Sequence, residues 1–152
     1  MSLAIVYTRA ALGIEAPLIT IEVHLSSGLP GLTMVGLPET TVKEARDRVR
    51  SALINSGYAF PAKKITINLA PADLPKEGGR YDLPIALALL VASEQLNTTR
   101  LNQYEFVGEL ALTGGLRGVP GAIPSAMEAI KAGRRIVVSL SLLHISEPTR
   151  LQ

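Results

Sequence analysis

The sequence contains no cysteine, no tryptophan and only two histidines among its 152 residues. The lack of cysteine excludes disulfide frameworks, thiolate zinc sites, iron–sulfur clusters and cysteine nucleophiles. His24 and His144 are far apart in the sequence, so the HExxH metal motif is also absent. These absences exclude the common metal motifs that are built from cysteine and histidine.

Charged residues and long apolar runs are also scarce. Charged residues make up 18% of the chain and apolar residues 47%, a balance typical of a chain that folds around a core. The longest stretch without Asp, Glu, Lys or Arg, residues 23–38, is interrupted by glycine and proline and is shorter than the ~18 apolar residues of a membrane span. The first nine residues lack the basic region of a secretory signal. We expect a cytoplasmic protein with no membrane partner.

The phosphate-binding motif GxxxxGK[ST] is absent, because no glycine is followed by lysine. Gly114, Gly115, Gly118 and Gly121 do not spell the dinucleotide motif GxGxxG, and no βαβ pattern surrounds them, which favours turns. The serines show no relation to a histidine that would indicate a Ser-His-Asp triad. We therefore predict no catalytic residue and no cofactor site in this chain.

Hydrophobic periodicity predicts three strands, a helix, a strand, a second helix, a strand pair, a third helix and a last strand. The order indicates an α+β fold whose helices pack mainly on one face of a mixed sheet. Thr40 or Thr41 with Glu44 resembles a capping box for the first helix, and Asp82 is the predicted N-cap of the second. The predicted strands are 4–7, 18–25, 32–35, 65–69, 106–110 and 136–138, and the helices begin near residues 40, 83 and 120 and end near residues 57, 96 and 131.

Basic residues are concentrated on one side of the first predicted helix. Lys43, Arg46 and Arg50 are spaced i, i+3 and i+7, and Lys63 and Lys64 precede the next strand. These five residues are candidate DNA contacts. The alternative is a solvated helix face with local ion pairs. Only four tyrosines and two phenylalanines are present, so base stacking has little support.

Residues 70–82 form the densest loop pattern in the sequence, with two internal prolines and two adjacent glycines. Three acidic residues and two basic residues within it could suggest a divalent cation or an acid–base pair, whereas a solvated acidic loop is the favoured interpretation.

Three segments carry a resemblance to a known family: GLTMVGLP at 31–38, VKEARDRVRSA at 42–52 and INLAPADLPKEGGRYDLP at 67–84. They closely resemble the N-terminal region of the Mg-chelatase-like AAA+ ATPases of the YifB/ComM family, and the resemblance covers about residues 1–138. It implies a Lon-protease-type domain with the ribosomal protein S5 domain-2-like fold. The AAA+ module, which would bind ATP and Mg, is absent from this chain. Residues 139–152 depart from the family and are interpreted as a non-native or truncation tail.

The Lon likeness implies where a Ser-Lys dyad would lie. The serine position is Arg80 and the lysine position is Ile123. A guanidinium is no nucleophile and isoleucine is no base, so we expect no proteolysis. The alternative is a diverged peptidase that uses Ser125 or Ser93 with Lys76 or Lys131. The family-motif loop comprises Pro75, Lys76, Glu77, Gly78, Gly79, Arg80 and Asp82.

The resemblance also implies a function for the whole bacterial protein, a hexameric ATP-dependent DNA helicase that promotes branch migration in natural transformation. This chain would be its non-catalytic accessory domain, serving assembly of the homo-oligomer or engagement of DNA or another substrate. A stand-alone DNA-binding module is the remaining alternative.

Overall fold

A computed structural model describes residues 2–74, 76 and 78–139 of the chain. These residues form eight strands and three α-helices, with one 3₁₀ turn at Leu101–Gln103. They follow the predicted order, except that three short strands replace the predicted strand pair before the third helix. The strands are β1 (Leu3–Arg9), β2 (Leu18–Ser26), β3 (Gly31–Val35), β4 (Lys64–Ala70), β5 (Tyr104–Phe106), β6 (Glu109–Leu110), β7 (Leu116–Arg117) and β8 (Arg135–Val137). The helices are α1 (Glu39–Asn55), α2 (Asp82–Ala92) and α3 (Ala122–Lys131).

Six strands form a mixed sheet in the order β3-β4-β2-β1-β5-β8. The pairs β1–β2 and β2–β4 are antiparallel, whereas β3–β4, β1–β5 and β5–β8 are parallel. β6 and β7 form a separate antiparallel hairpin. The predicted mixed sheet is confirmed.

Side-chain alternation divides the sheet into a buried face and an open face. In β2, Ile19, Ile21 and Val23 are fully buried, whereas Thr20 and Glu22 between them are only half-buried. The helices α1 and α2 cover the buried face. α1 contributes an apolar stripe, and α2 is buried nearly all round. The stripe consists of Ala45, Val49, Ala52 and Leu53.

The third helix lies against the opposite face, next to β5 and β8. Tyr7 and Glu105 are register partners across β1 and β5, so alternation places Arg9 and Glu105 on the face away from Val6. Arg9 reaches α3 there, because its Nη2 donates to the carbonyl of Glu128. Two of the three helices therefore share one face.

Both predicted helix caps are wrong. α1 begins at Glu39 with Pro38 at the N-cap and no side-chain cap, because the fixed φ of proline already suits a helix start. Asp82 is the first residue of α2 and is fully buried, so its carboxylate is occupied elsewhere.

The chain also departs from the predicted ends of two elements. α2 ends at Ala92 because Glu94 adopts a positive φ and the amide of Gln95 turns back to Leu90. The predicted strand 106–110 is divided between β5 and β6, since Val107 bonds to Val137 and Gly108 to Arg80. Within the described part of the chain, no helix is long and apolar enough to cross a membrane.

Candidate functional site

A basic groove lies between α1, the start of β3 and residues 60–65. Its volume is about 580 Å3, and Arg46, Arg50 and Lys63 all line it. The helical spacing places Arg46 and Arg50 one turn apart on α1, and the connection from α1 to β4 brings Lys63 beside them. The structure therefore unites three of the five candidate DNA contacts in one groove.

The other two candidates lie outside the groove lining. Lys43 is exposed on α1, one turn before Arg46, and Lys64 is exposed as the first residue of β4. Lys64 is in register with Gly31 of β3, which lines the groove, so its backbone lies at the groove edge.

The charge of the groove is positive. Three cations and one carboxylate, Asp47, line it. The Nε of Arg46 lies 3.6 Å from the Oδ1 of Asp47, an exposed ion pair of the kind that contributes little. The guanidinium of Arg50 lies 5.9 Å from the ring centroid of Phe60, within the range of a cation–π contact. Arg50 has no carboxylate partner among the described residues, so its charge is available to an anion.

Arg48, on the same helix, is turned toward the interior. It donates from Nε to Oδ2 of Asp82 over 2.6 Å and from Nη2 to Oδ1 over 3.2 Å. The amide of Leu110 also donates to Oδ2 of Asp82. Burial raises the pKa of Asp82 to about 6, against the opposing effect of these donors, and the hydrogen bond to Asp82 raises the pKa of Arg48. Asp82 thus joins α1, α2 and β6.

The family-motif loop is partly described, since Pro75 and Glu77 lie outside the described residues. Gly78 has a positive φ, and a Cβ at Gly79 would collide with the side chain of Glu109. Within the described ranges, no three His, Asp or Glu residues are grouped so that they could hold a metal ion.

Arg80, at the implied serine position, is buried with 4% of its surface exposed. Its Nε donates to the carbonyl of Arg9 over 2.9 Å, Nη1 to the carbonyl of Pro120 over 2.6 Å, and Nη2 to Oγ of Ser125 over 3.2 Å. Burial lowers the pKa of Arg80. The side chain therefore connects the end of β1 to the start of α3.

The serines and lysines of the peptidase alternative have other partners. Ser125 is fully buried and accepts from Arg80, and Ser93 donates to the carbonyl of Leu89. Lys131 forms an exposed ion pair with Glu128 over 3.1 Å, and buried Lys76 donates to the carbonyl of Leu74 over 3.1 Å. Ile123, at the implied lysine position, is 63% exposed.

A buried charge cluster, which the sequence did not predict, surrounds Glu105. Glu105 is fully buried and accepts from Nε and Nη2 of Arg9 over 2.7 and 2.9 Å and from Nε of Arg134 over 3.0 Å. The guanidinium of Arg134 also lies 4.2 Å from the ring centroid of Tyr7. The one available signal was a glutamate between two aromatic residues, next to the predicted strand 106–110, and this signal does not identify the partners of Glu105.

An exposed apolar stripe runs along α3, which we call the α3 stripe. It consists of Ile123, Met127 and Ile130, which are spaced i, i+4 and i+7 and are 63%, 55% and 71% exposed. Such a row lies on one side of a helix. The structure thus offers an apolar surface on the face of the sheet away from α1.

Comparison with known proteins shows what this chain is similar to. The family model for subunit ChlI of Mg-chelatase matches residues 21–141. The uncharacterized protein YifB of Escherichia coli is 81% identical over 139 residues, and the competence protein ComM of Haemophilus influenzae is 66% identical over 139 residues. Each alignment covers 91% of this chain but only 28% and 27% of those relatives, respectively. The chain therefore spans little more than a quarter of the length of the curated relatives it matches.

Proposed function

The chain belongs to the family of the Mg-chelatase subunit ChlI, and from that premise we propose that it is a non-catalytic accessory domain that contacts DNA. The basic groove carries this proposal. Arg46, Arg50 and Lys63 converge there, with a single carboxylate among the lining residues. Guanidinium and ammonium groups in such an arrangement bind phosphate oxygens and displace counterions.

The expected mode of contact is to the DNA backbone rather than to the bases. Phe60 is the only aromatic side chain in the groove lining that the structure describes, and Arg50 lies over its ring. Without a row of free aromatic rings, stacking supplies little energy, and phosphate contacts dominate. Binding of this kind has little sequence preference and falls steeply with salt.

The remaining parts of the functional proposal concern the longer protein. The chain spans about 28% of its curated relatives and lacks GxxxxGK[ST]. We assign ATP and Mg binding to an AAA+ module beyond the aligned region, within a hexameric, cytoplasmic DNA helicase that drives branch migration. The mixed sheet and three helices support, at a coarse level, the S5 domain-2-like assignment that the resemblance implies.

DNA binding by the whole chain tests the groove. Fluorescence anisotropy would be measured on single-stranded and branched DNA at two salt concentrations, for the native chain and for the triple groove variant Arg46→Glu, Arg50→Glu, Lys63→Glu. We expect salt-sensitive binding by the native chain. In the variant, affinity should fall at least about tenfold, and the salt slope should shrink by roughly 0.9 for each phosphate that the protein no longer neutralises.

A matched control carries the same charge change on exposed residues at the other edge of the sheet: Arg100→Glu, Lys131→Glu, Arg135→Glu. This control should lose much less affinity than the groove variant. Equal losses in both variants would mean that net charge alone attracts DNA, and undetectable or salt-insensitive binding by the native chain would overturn the proposal.

A second candidate function is assembly, which the α3 stripe favours. Three large apolar side chains in a row on one helix are a typical surface for burial against a second copy of the chain. Sedimentation velocity should show concentration-dependent association of the native chain, and Ile123→Ser with Ile130→Ser should abolish it. Leu29→Ser, at an 89% exposed residue before β3, is the control. A native chain that stays monomeric at about 100 μM would exclude self-assembly through the stripe.

We also propose that the chain does not act as a Ser-Lys peptidase. The support is the separate partners of Ser125, Ser93, Lys131 and Lys76. A serine nucleophile needs a base within hydrogen-bonding reach. A fluorophosphonate probe should therefore leave both serines unlabelled, and labelling of either one would refute this part of the proposal.

A further inference from the structure

A second cleft, separate from the basic groove, lies beside Arg80. Its volume is about 540 Å3, and three chain segments line it: the β1–β2 turn at residues 11–13, the motif loop at 78–81 and the segment 118–120 before α3. Glu109 completes the lining, and the cleft shares no lining residue with the basic groove. We call it the Arg80 cleft.

Among the described residues, the ion pairing of Arg80 differs from that of Arg9 and Arg48. Arg9 pairs with Glu105 and Arg48 with Asp82. The three acceptors of Arg80 are two backbone carbonyls and a hydroxyl, and within residues 2–74, 76 and 78–139 no carboxylate pairs with it. A buried cation without a counter-charge is costly.

Among the described residues, only three hydrogen bonds engage the guanidinium. It offers five N–H donors, and three hydrogen bonds account for three of them. A planar fork of this kind binds carboxylates and phosphates better than it binds single neutral acceptors. An anion in the adjoining cleft would supply the negative charge and the further acceptors that the described residues do not provide.

We propose that the Arg80 cleft binds a monocarboxylate that bears a small apolar group, either a free acid or the C-terminal residue of a peptide. Leu12 and Val119 provide an apolar wall beside the arginine. Glu109 lines the same cleft, with its Oε2 3.9 Å from Nη1 of exposed Arg117. Its negative charge favours an incoming anion of single charge over a phosphate dianion.

Isothermal titration calorimetry on the whole chain tests the cleft with four probes: N-acetyl-leucine, its uncharged amide, inorganic phosphate, and a short acetylated peptide ending in leucine. The carboxylate probes should bind, the amide should not, and phosphate should bind more weakly. A peptide that binds more tightly than the free acid would identify a chain terminus as the ligand, and equal affinity would identify the free carboxylate.

Three variants change a charge at or near the cleft and leave Arg80 itself in place. Leu12→Glu places a carboxylate in the wall, and Ile14→Glu makes the same change on the same turn, at a 91% exposed residue outside the lining. Carboxylate binding should weaken at least about tenfold in Leu12→Glu and stay unchanged in Ile14→Glu. Glu109→Gln should tighten it.

Three results would overturn the proposal. The first is no carboxylate binding up to about 20 mM, which is well above the millimolar range in which a ligand of this size binds. The second is equal binding of the acid and the amide, and the third is an equal effect of Leu12→Glu and Ile14→Glu on carboxylate binding. Tighter binding of phosphate than of N-acetyl-leucine would refute the ligand class. Because the DNA assay uses other residues, its failure would be distinguishable from each of these.

Discussion

Replacement of Glu105 by glutamine should be among the most destabilising single changes in this protein. The Glu105 carboxylate is fully buried and accepts three hydrogen bonds, two from Arg9 and one from Arg134. Arg9 is itself only 6% exposed. Glutamine preserves the volume but removes the charge, so both guanidinium groups would lose their shared counter-charge.

The magnitude follows from this geometry. Removal of one partner from a buried ion pair costs about 3–5 kcal/mol, because the remaining charge is left in the interior. Glutamine keeps one acceptor oxygen, which places Glu105→Gln near the lower figure of about 3 kcal/mol. A domain of this size is stable by about 5–15 kcal/mol in total, so the variant should remain folded but lose a large share of its stability.

Urea unfolding followed by circular dichroism measures this loss. With a urea dependence of about 1–3 kcal/mol per molar, the midpoint should fall by at least about 1 M. Glu22→Gln is the control, since Glu22 is half-buried in the same sheet and accepts from neutral Asn68. It should change stability by less than about 0.5 kcal/mol.

The reasoning would be refuted if Glu105→Gln and Glu22→Gln lost the same stability. A further variant separates charge from packing. Arg9→Met, Glu105→Leu and Arg134→Met together replace the buried cluster with apolar groups, and such replacements are often neutral or stabilising. The combined variant should therefore be more stable than Glu105→Gln alone.

Two other changes test features of the fold. Burial raises the pKa of Asp82 to about 6, above its value in the unfolded chain, so the folded state binds the extra proton and the free energy of unfolding should fall as pH rises from about 4 to about 6. Asp82→Asn should lack this pH dependence, so the difference in unfolding free energy between native and variant, measured by urea unfolding, should fall from about pH 4 to about pH 6. A difference that does not change with pH would contradict the assignment. Gly36 has a φ of +99° and its Cβ would lie 2.3 Å from the carbonyl oxygen of Leu69, so Gly36→Ala should cost at least about 2 kcal/mol. Gly31→Ala, which meets nothing within 4 Å, should shift the thermal midpoint far less, and equal shifts would refute the steric argument.

The order of strands and helices was predictable because it depends on local periodicity. In β2, Ile19, Ile21 and Val23 alternate with polar residues, and in α1, Ala45 and Val49 recur at helical spacing. The spacing of apolar residues therefore predicts which side of each element is buried. The break after Phe106 was harder to predict, because hydrogen bonds to distant residues define it: the amide of Val107 donates to Val137 and that of Gly108 to Arg80.

At the candidate sites, too, features that depend on local spacing could be predicted, whereas contacts between distant residues could not. Arg46 and Arg50 share a helix side by spacing alone, which the sequence reveals. The burial of Asp82 depends on Arg48, 34 residues earlier, and that of Arg80 on Ser125, 45 residues later. Hydrogen bonds across such separations produce no periodic pattern in the sequence. Asp82 was therefore predicted only as a helix cap, and Arg80 was noted only as a replacement for the implied serine.

The pairing of β1 with β5 has a consequence for synthesis on the ribosome. Arg9 and Glu105 are 96 residues apart in the chain, and translation at about 5–20 residues per second takes roughly 5–20 s to cover that distance. Throughout this interval β1 can pair with β2, and Arg9 can donate to the carbonyl of Ala16. The other edge of β1 still lacks β5, however, and the Arg9 guanidinium lacks the Glu105 carboxylate. The nascent N-terminal half therefore carries an open strand edge that is exposed to other chains until β5 is made.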